Sequence, residues 1–313
     1  MVDIAKVAGA DAVKFQTFKA ERIVTRDAEK AAYQMQTTGS TQSQYEMIKG
    51  LELDEDDFRS LAAYSKKRGI MFISSPFDIE SISILSEIGV PAFKIASGEI
   101  TNFPLIREIS RRGQPVILST GMANLGEIEA ALEVIRSEGL QKIVLLHCVS
   151  SYPTPAQDVN LRAMETLKSA FKLPVGFSDH TCGIAASIAS VALGACVLEK
   201  HFTADKDLPG PDHKASLDPP ELKEMVRCVR YTEKMLGDGI KKPTKEEVET
   251  RKAVRKSIVA AFDLPAGTCL QENMLDIKRP GTGIAPKHLQ ALLNRKIKTE
   301  IKNDELIAWE KME

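Results

Sequence analysis

The chain has no excess of basic charge. Its 42 Lys and Arg are met by 43 Asp and Glu over 313 residues, a formal net charge of -1, so nothing in the composition supports a nucleic-acid partner. No apolar run approaches the roughly 18 residues that a membrane span requires, and the N-terminus lacks the charged-then-apolar pattern of a secretory signal. No membrane partner is expected, and the expected compartment is the cytoplasm. Cysteine is sparse. Cys148, Cys182, Cys196, Cys228 and Cys269 are odd in number and form no C-x-x-C, which argues against a disulfide framework or structural zinc and for a reducing environment. What is present is 43% hydrophobic and 27% charged, enough for a soluble globular chain of two domains.

Apolar segments that end in polar residues recur along the first 240 residues. They are Asp11 to Phe18, Met71 to Phe77, Ala92 to Glu99, Pro115 to Gly121, Ile143 to Tyr152, Val175 to Phe177 and Cys196 to Leu198. Helical patterns separate them at Asp57 to Arg68, Ile79 to Ile88, Phe103 to Ser110, Leu125 to Glu138, Leu161 to Ala170 and Gly183 to Leu193, with Pro220 to Leu236 after the last strand. Near-continuous apolar strands alternating with helices predict a parallel sheet, and the short regular repeat favours a closed α/β barrel over an open doubly wound sheet. The count is one short of eight. VDIAKVAGA at the start reads as the end of a first barrel helix, so the first strand is expected to be absent. Residues 19 to 56, rich in Gln, Thr and Ser, form a long loop of the kind that borders a barrel site. We divide the chain into a barrel domain over 1–240, a charged linker over 241–256 and a small β domain over 257–313.

Pro174 to Thr203 organises the rest. It reads as strand, helix, strand, with His180 leaving one strand and His201 the next, so both imidazoles face one bowl at the carboxyl ends of parallel strands. Two histidines satisfied by nearby carbonyls would be the plainer reading of this stretch alone. Other strand ends add to it. Lys14, Ser75, Lys94, Ser97, Ser119, Ser150 and Ser178 point cations and hydroxyls at the same bowl, a pattern suited to a phosphate or carboxylate. Lys14 and Lys94 lie inside apolar runs, where lysine needs an anionic partner. Glu99 adds a carboxylate for proton transfer.

The segments KFQTFKAE, SSPFD, KIASGEITNFPLI, ILSTGMA, HCVSSYPTP, GFSDHT, EKHFT, GPDHKASLDP and RPGTGI resemble the sialic acid synthase family, in order and through nearly the whole chain. That resemblance implies a (β/α)8 TIM barrel followed by an antifreeze-like SAF domain. It implies a domain-swapped homodimer and condensation of phosphoenolpyruvate with an N-acylated mannose-type amino sugar. His180 and His201 would hold a divalent metal, Mn2+ or Mg2+. Lys14, Ser75, Lys94, Ser97, Ser119, Ser150 and Ser178 match phosphoenolpyruvate contacts. Gln16, Tyr152 and Asp212 match sugar contacts, Arg279 matches an arginine from the partner subunit, and Glu99 matches the acid near the reacting centre. Ser75 and Ser150 stand where some relatives have Thr and Asn. The family's first strand, with E-I-G-x-N-H-x-G and a sugar-binding glutamate, is the part without a match. KFQTFKAERIVT, Tyr33-Gln34 and Gln44 to Leu53 look more like sialic or legionaminic acid synthases than pseudaminic acid synthases. N-acetylmannosamine and its 6-deoxy-2,4-diacetamido relative are the two acceptors in view.

Two other readings compete. A Schiff-base aldolase would use Lys94 or Lys200 as a covalent amine. A non-catalytic sugar-binding protein or inactive fragment would follow from an incomplete barrel.

Overall fold

The computed structural model describes residues 1–31, 34–35, 38–39 and 41–313; Tyr33, named above in the comparison of acceptor types, lies outside the described residues. Two compact units make up the chain, Met1–Gly237 and Asp238–Glu313.

Seven parallel strands form the first unit: β1 (Ala12–Thr17), β2 (Met71–Pro76), β3 (Phe93–Ile95), β4 (Val116–Ser119), β5 (Ile143–Cys148), β6 (Val175–Asp179) and β7 (Leu198–Lys200). They lie in chain order in one sheet. Helices α1 (Val2–Ala8), α2 (Glu55–Arg68), α3 (Ile79–Ile88), α4 (Phe103–Arg111), α5 (Leu125–Ser137), α6 (Ala163–Phe171), α7 (Ala185–Ala192) and α8 (Pro219–Leu236) alternate with the strands. The sequence specifies their starts locally. Asp54, Asn124 and Asp218 each accept from the backbone N–H three residues on, with an acidic side chain there reaching back, and Asp78 caps α3 in the same sense. These caps satisfy N–H groups that a helix start leaves open.

The main core lies between the sheet and its helices, where Phe58, Ile82, Phe93, Ile106, Leu132 and Phe177 are almost wholly buried. A second patch, with Leu217, Leu222, Met225 and Val229, joins α8 to α1 and β7. The sheet curls so that β1 and β7 line one cavity of about 660 Å³, and among the described residues those two edge strands do not pair with each other. Seven strands of an α/β barrel, the count expected from the sequence, are present.

Several strand bounds differ from expectation, among them β6, which runs past Phe177 to Asp179. β3 stops at Ile95 and gives way to a 3-10 turn at Ser97–Glu99, and β5 stops at Cys148. The last strand is Leu198–Lys200, not Cys196 to Leu198, because Glu199 and Lys200 find buried partners and need not end it.

In the second unit, α9 (Lys245–Val254) starts from a Thr244 capping box. An antiparallel pair, β8 (Ser257–Ala260) with β9 (Leu275–Lys278), and single bridges such as Leu264 with Ile301 enclose Ile258, Leu270, Leu292, Ile297 and Ile307.

One glycine is demanded by the sheet. A Cβ at Gly176 in β6 would strike the Val197 carbonyl oxygen and approach Leu146 Cδ2 to 2.7 Å, and a strand carbonyl cannot swing aside cheaply. Gly176→Ala should therefore lower the unfolding free energy by roughly 1–3 kcal/mol through overpacking. Urea unfolding of the variant and the parent checks this; equal midpoints would show that β6 and β7 separate freely.

Candidate functional site

Side chains alternate across a strand, and Lys14, Ile73, Lys94 and Ile117 all line the cavity. Ser75 has the parity of Ile73, and Ser119 that of Ile117, so both face the same interior from the strand ends. Their hydroxyls are buried, at 1% and 2% exposure, and neither has a hydrogen-bond partner. A buried hydroxyl without a partner is costly in a finished core, which marks both as positions for a ligand.

Lys94 is 3% exposed. Its ammonium donates to the Ile95 carbonyl at 3.1 Å and stands 3.9 Å from a Glu199 carboxylate oxygen. Burial pulls the Lys94 pKa down, the Glu199 charge opposes this, and Lys14 adds to it. Burial likewise pushes Glu199 up, but Lys14 and Lys94 outweigh it and hold the carboxyl at about 2. Glu199 is a site residue that the sequence reading does not single out. The signal is there: two lysines inside apolar strands require an anion, and a glutamate inside VLEK on another strand is the complement. The cations are thus partly paired within the protein, two ammoniums against the one Glu199 carboxylate.

The remaining expected residues gather by a chain of contacts. Ser178 Oγ donates to Glu199 at 3.0 Å and lies 3.5 Å from His180 Nε2. Cys148 Sγ is 3.7 Å from His180 Nδ1; burial raises its pKa, against hydrogen bonds from Ser97 and Ser178. From sequence Cys148 counts only as a thiol. Gly121 N–H donates to Ser97 Oγ at 3.0 Å. A Cβ at Gly121 would collide with the hydroxyls of both Ser97 and Ser150, so the absence of a side chain there lets these two approach. Gln16 lies at the exposed end of β1 and lines the cavity. Glu99 sits half-buried on the turn after β3, where Asn102 Nδ2 donates to it at 2.7 Å. Burial raises its pKa, in part against Asn102.

His180 and His201 do meet, with ring centroids 5.4 Å apart. The Tyr152 ring lies 4.1 Å from His180 and 5.8 Å from His201, centroid to centroid. Nδ1 of His180 is 2.7 Å from the Val149 carbonyl. Only N–H can make that contact, which assigns the tautomer and leaves Nε2 as a lone pair. Burial keeps His180 below its ordinary pKa despite the carbonyl, and burial with the Lys14 charge pushes His201 down to about 3. Both rings are neutral near pH 7, the form that binds metal. Asp212 Oδ2 is 3.7 Å from His201 Nδ1, and its Oδ1 is buried without a partner. Among the described residues no group of three or more His, Cys, Asp or Glu is placed to hold a metal ion. Two neutral imidazoles would carry an ion only with its other positions open, and a closed structural site is not formed among the described residues.

Lys200 is not available as a covalent amine. Its side chain is 1% exposed, 3.1 Å from Asp179, and it donates to the Thr181 carbonyl at 2.5 Å. Arg279 belongs to the second unit, where it is exposed.

A family model described as NeuB matches residues 1–241, and one described as SAF domain matches residues 255–313. The chain is 50% identical over 309 residues to N,N'-diacetyllegionaminic acid synthase of Campylobacter jejuni, covering 98% of this chain and 92% of that one. It is 45% identical to the protein of the same name in Legionella pneumophila, covering 100% and 89%. Among solved structures, N-acetylneuraminic acid synthetase of Leptospira borgpetersenii, crystallised with citrate, superposes with a TM-score of 0.71 at 37% identity, over 81% of this chain and 85% of that one.

The depressed His201 gives a pH signature in metal-stripped buffer. The unfolded chain takes up a proton near 6.5 and the folded one only near 3, so stability is full above the first value and is lost as pH falls towards the second. His201→Asn should lose less unfolding free energy between pH 7 and pH 4.5 than the parent, by roughly 2–3 kcal/mol. Equal losses in denaturant titrations would place the His201 pKa near its ordinary value.

Proposed function

The chain belongs to the NeuB family, and from that membership we propose that it condenses phosphoenolpyruvate with the open-chain form of an N-acylated mannose-type sugar and water, giving a nonulosonic acid and phosphate. The observation that carries this reading is the pair Lys14 and Lys94 on one cavity, with the partnerless buried hydroxyls of Ser75 and Ser119 at the adjoining strand ends. Such a wall suits a small molecule with a phosphate and a carboxylate. Ser97, Ser150 and Ser178 complete the anion contacts, and Gln16, Tyr152 and Asp212 take the sugar.

C3 of phosphoenolpyruvate is the nucleophile and the sugar aldehyde the electrophile. Bond formation leaves an oxocarbenium at C2, water adds there, and the tetrahedral product expels phosphate. Glu99, with its raised pKa, handles a proton in these steps. A divalent ion at His180 and His201, Mn2+ or Mg2+, would polarise the aldehyde and supply further positive charge. Both legionaminic acid synthases compared above point to 2,4-diacetamido-2,4,6-trideoxymannose as the acceptor before N-acetylmannosamine.

The test is phosphate release from phosphoenolpyruvate with each sugar in turn, with and without chelator. Release should follow the diacetamido sugar, stop with chelator, and fall at least about 100-fold in His180→Ala and His201→Ala. Borohydride trapping of a protein–keto acid adduct without phosphate release would overturn the reading in favour of a Schiff-base aldolase.

We place Arg279 at the acceptor site of a partner subunit, in a domain-swapped dimer, where a guanidinium suits several polar ligand groups. Mixing Arg279→Ala subunits with His201→Ala subunits should then restore activity, because one of the two sites in a mixed dimer unites an intact barrel with an intact arginine. No recovery after verified subunit exchange would assign Arg279 to its own barrel or to neither.

A further inference from the structure

The register of β6 and β7 pairs Ser178 with Glu199 and Asp179 with Lys200. Alternation sends residues 178, 180, 199 and 201 to the inner face and residues 179 and 200 to the outer one. Asp179 and Lys200 therefore stand back to back with the site, between the Ser178–Glu199 contact and the two imidazoles. Their side chains are 0% and 1% exposed and 3.1 Å apart. The proposed reaction gives neither of them a part.

Every polar atom of this pair is engaged. Asp179 Oδ1 accepts from the Thr181 N–H and the Thr181 hydroxyl, both at 2.8 Å. Asp179 Oδ2 accepts from Ser187 Oγ at 2.5 Å and faces Lys200. Lys200 Nζ in turn donates to the Thr181 carbonyl at 2.5 Å. One cluster so ties β6, the turn after it, α7 and β7. Apolar side chains of similar volume would hold these elements together as well or better, because desolvating two charges offsets much of their attraction. What a directional cluster adds is geometry. A carboxylate with four donors around it tolerates little sliding of β7 along β6.

The histidines sit inside the span this cluster controls. His180 lies between Asp179 and Thr181, both of which it holds, and His201 follows Lys200 directly. We infer that the Asp179–Lys200 pair, with Thr181 and Ser187, is a positioning clamp that fixes the separation and facing of His180 and His201. The inference rests on the reading of these two histidines as ligands of a divalent ion. A metal site with only two protein ligands has no third one to correct a misplaced ring, so outer contacts must set the geometry.

Three variants of the full chain test it. Lys200→Met leaves Asp179 charged and unpaired and is the one at risk of not folding. Asp179→Asn with Lys200→Met removes both charges, keeps an amide oxygen for Thr181, turns an amide N–H towards Ser187 Oγ, and retains volume. Ser187→Ala removes one bond. Each is followed by its thermal midpoint, by Mn2+ affinity from the electron paramagnetic resonance of free Mn2+, and by nitrogen-15 shifts of the five histidines in the metal-free protein. The double variant should fold yet bind Mn2+ about 10–100-fold more weakly, with loss of the His180 Nδ1–H signature. Ser187→Ala should move the same way by a few-fold. A lowered midpoint with unchanged Mn2+ affinity and unchanged imidazole shifts would overturn the clamp and leave a structural ion pair. Should the parent protein bind no Mn2+, the metal reading fails by itself and the imidazole shifts alone decide: altered rings support the clamp and unaltered rings reject it. If the double variant does not fold, the Ser187→Ala imidazole shifts decide in the same way.

Discussion

A lysine ammonium cannot be enclosed in an apolar sheet without an anion nearby, and the interior of the first unit is arranged around that constraint. Lys94 on β3 is closed off from solvent, Lys14 on β1 adds a second cation, and Glu199 on β7 supplies one carboxylate against the two. The result is a pocket wall that is stable without a ligand and still carries positive charge. Full internal neutralisation would weaken anion binding, and without Glu199 the buried Lys94 would be more inclined to lose its proton. The hydroxyls of Ser75 and Ser119 carry the same compromise among neutral groups, being buried and unpaired until something enters.

The same burial does the opposite work on the imidazoles. Burial disfavours charge on both rings, and Lys14 adds to this at His201, so His180 and His201 remain neutral near pH 7. Neutral rings are ligands, whereas protonated rings would only add to the cationic wall. The Val149 carbonyl then selects the tautomer of His180 and turns Nε2 inward. One electrostatic environment thus leaves the two imidazoles neutral and keeps the buried Lys94 ammonium partly paired, by raising the cost of charge on bases that shed it easily and by placing a carboxylate beside the one that does not.

Much of this is legible in the sequence because parallel strands put chemistry in a fixed place. Apolar runs that end in polar residues locate the strands to within a few residues, and the order of Lys14, Ser75, Lys94, Ser119, Ser178, His180 and His201 along the chain is their order around the bowl. What escapes is whatever depends on partners across the sheet. Glu199 and Lys200 read as a polar strand exit, which sets β7 two residues early; only the register with Ser178 and Asp179 shows them as interior residues on opposite faces. The 3-10 turn at Ser97–Glu99 is hidden in the same way, since Ala-Ser-Gly-Glu continues an alternating pattern that the backbone abandons after Ile95. Cys148 is invisible as a site residue because a buried thiol and a core residue have the same signature in sequence.

The distribution of carboxyl pKa values also divides the labour of the proposed reaction. Glu199 is pinned ionised by two ammoniums, and a carboxylate held at about 2 is too weak a base to draw a proton from water and too strong an acid to keep one. Its role is electrostatic. Glu99 and Asp212 are both pushed upward by burial, the direction that favours holding a proton. Asp212 lies beside His201, at the end of the site where the aldehyde would sit, with one oxygen lacking any protein donor. Glu99 lies at the turn after β3, two residues beyond Ser97 and beside the anion wall. In the proposed reaction the carboxyls that burial favours in the protonated form, Glu99 on the turn after β3 and Asp212 beside His201, are thus distinct from Glu199, which the two ammoniums hold ionised.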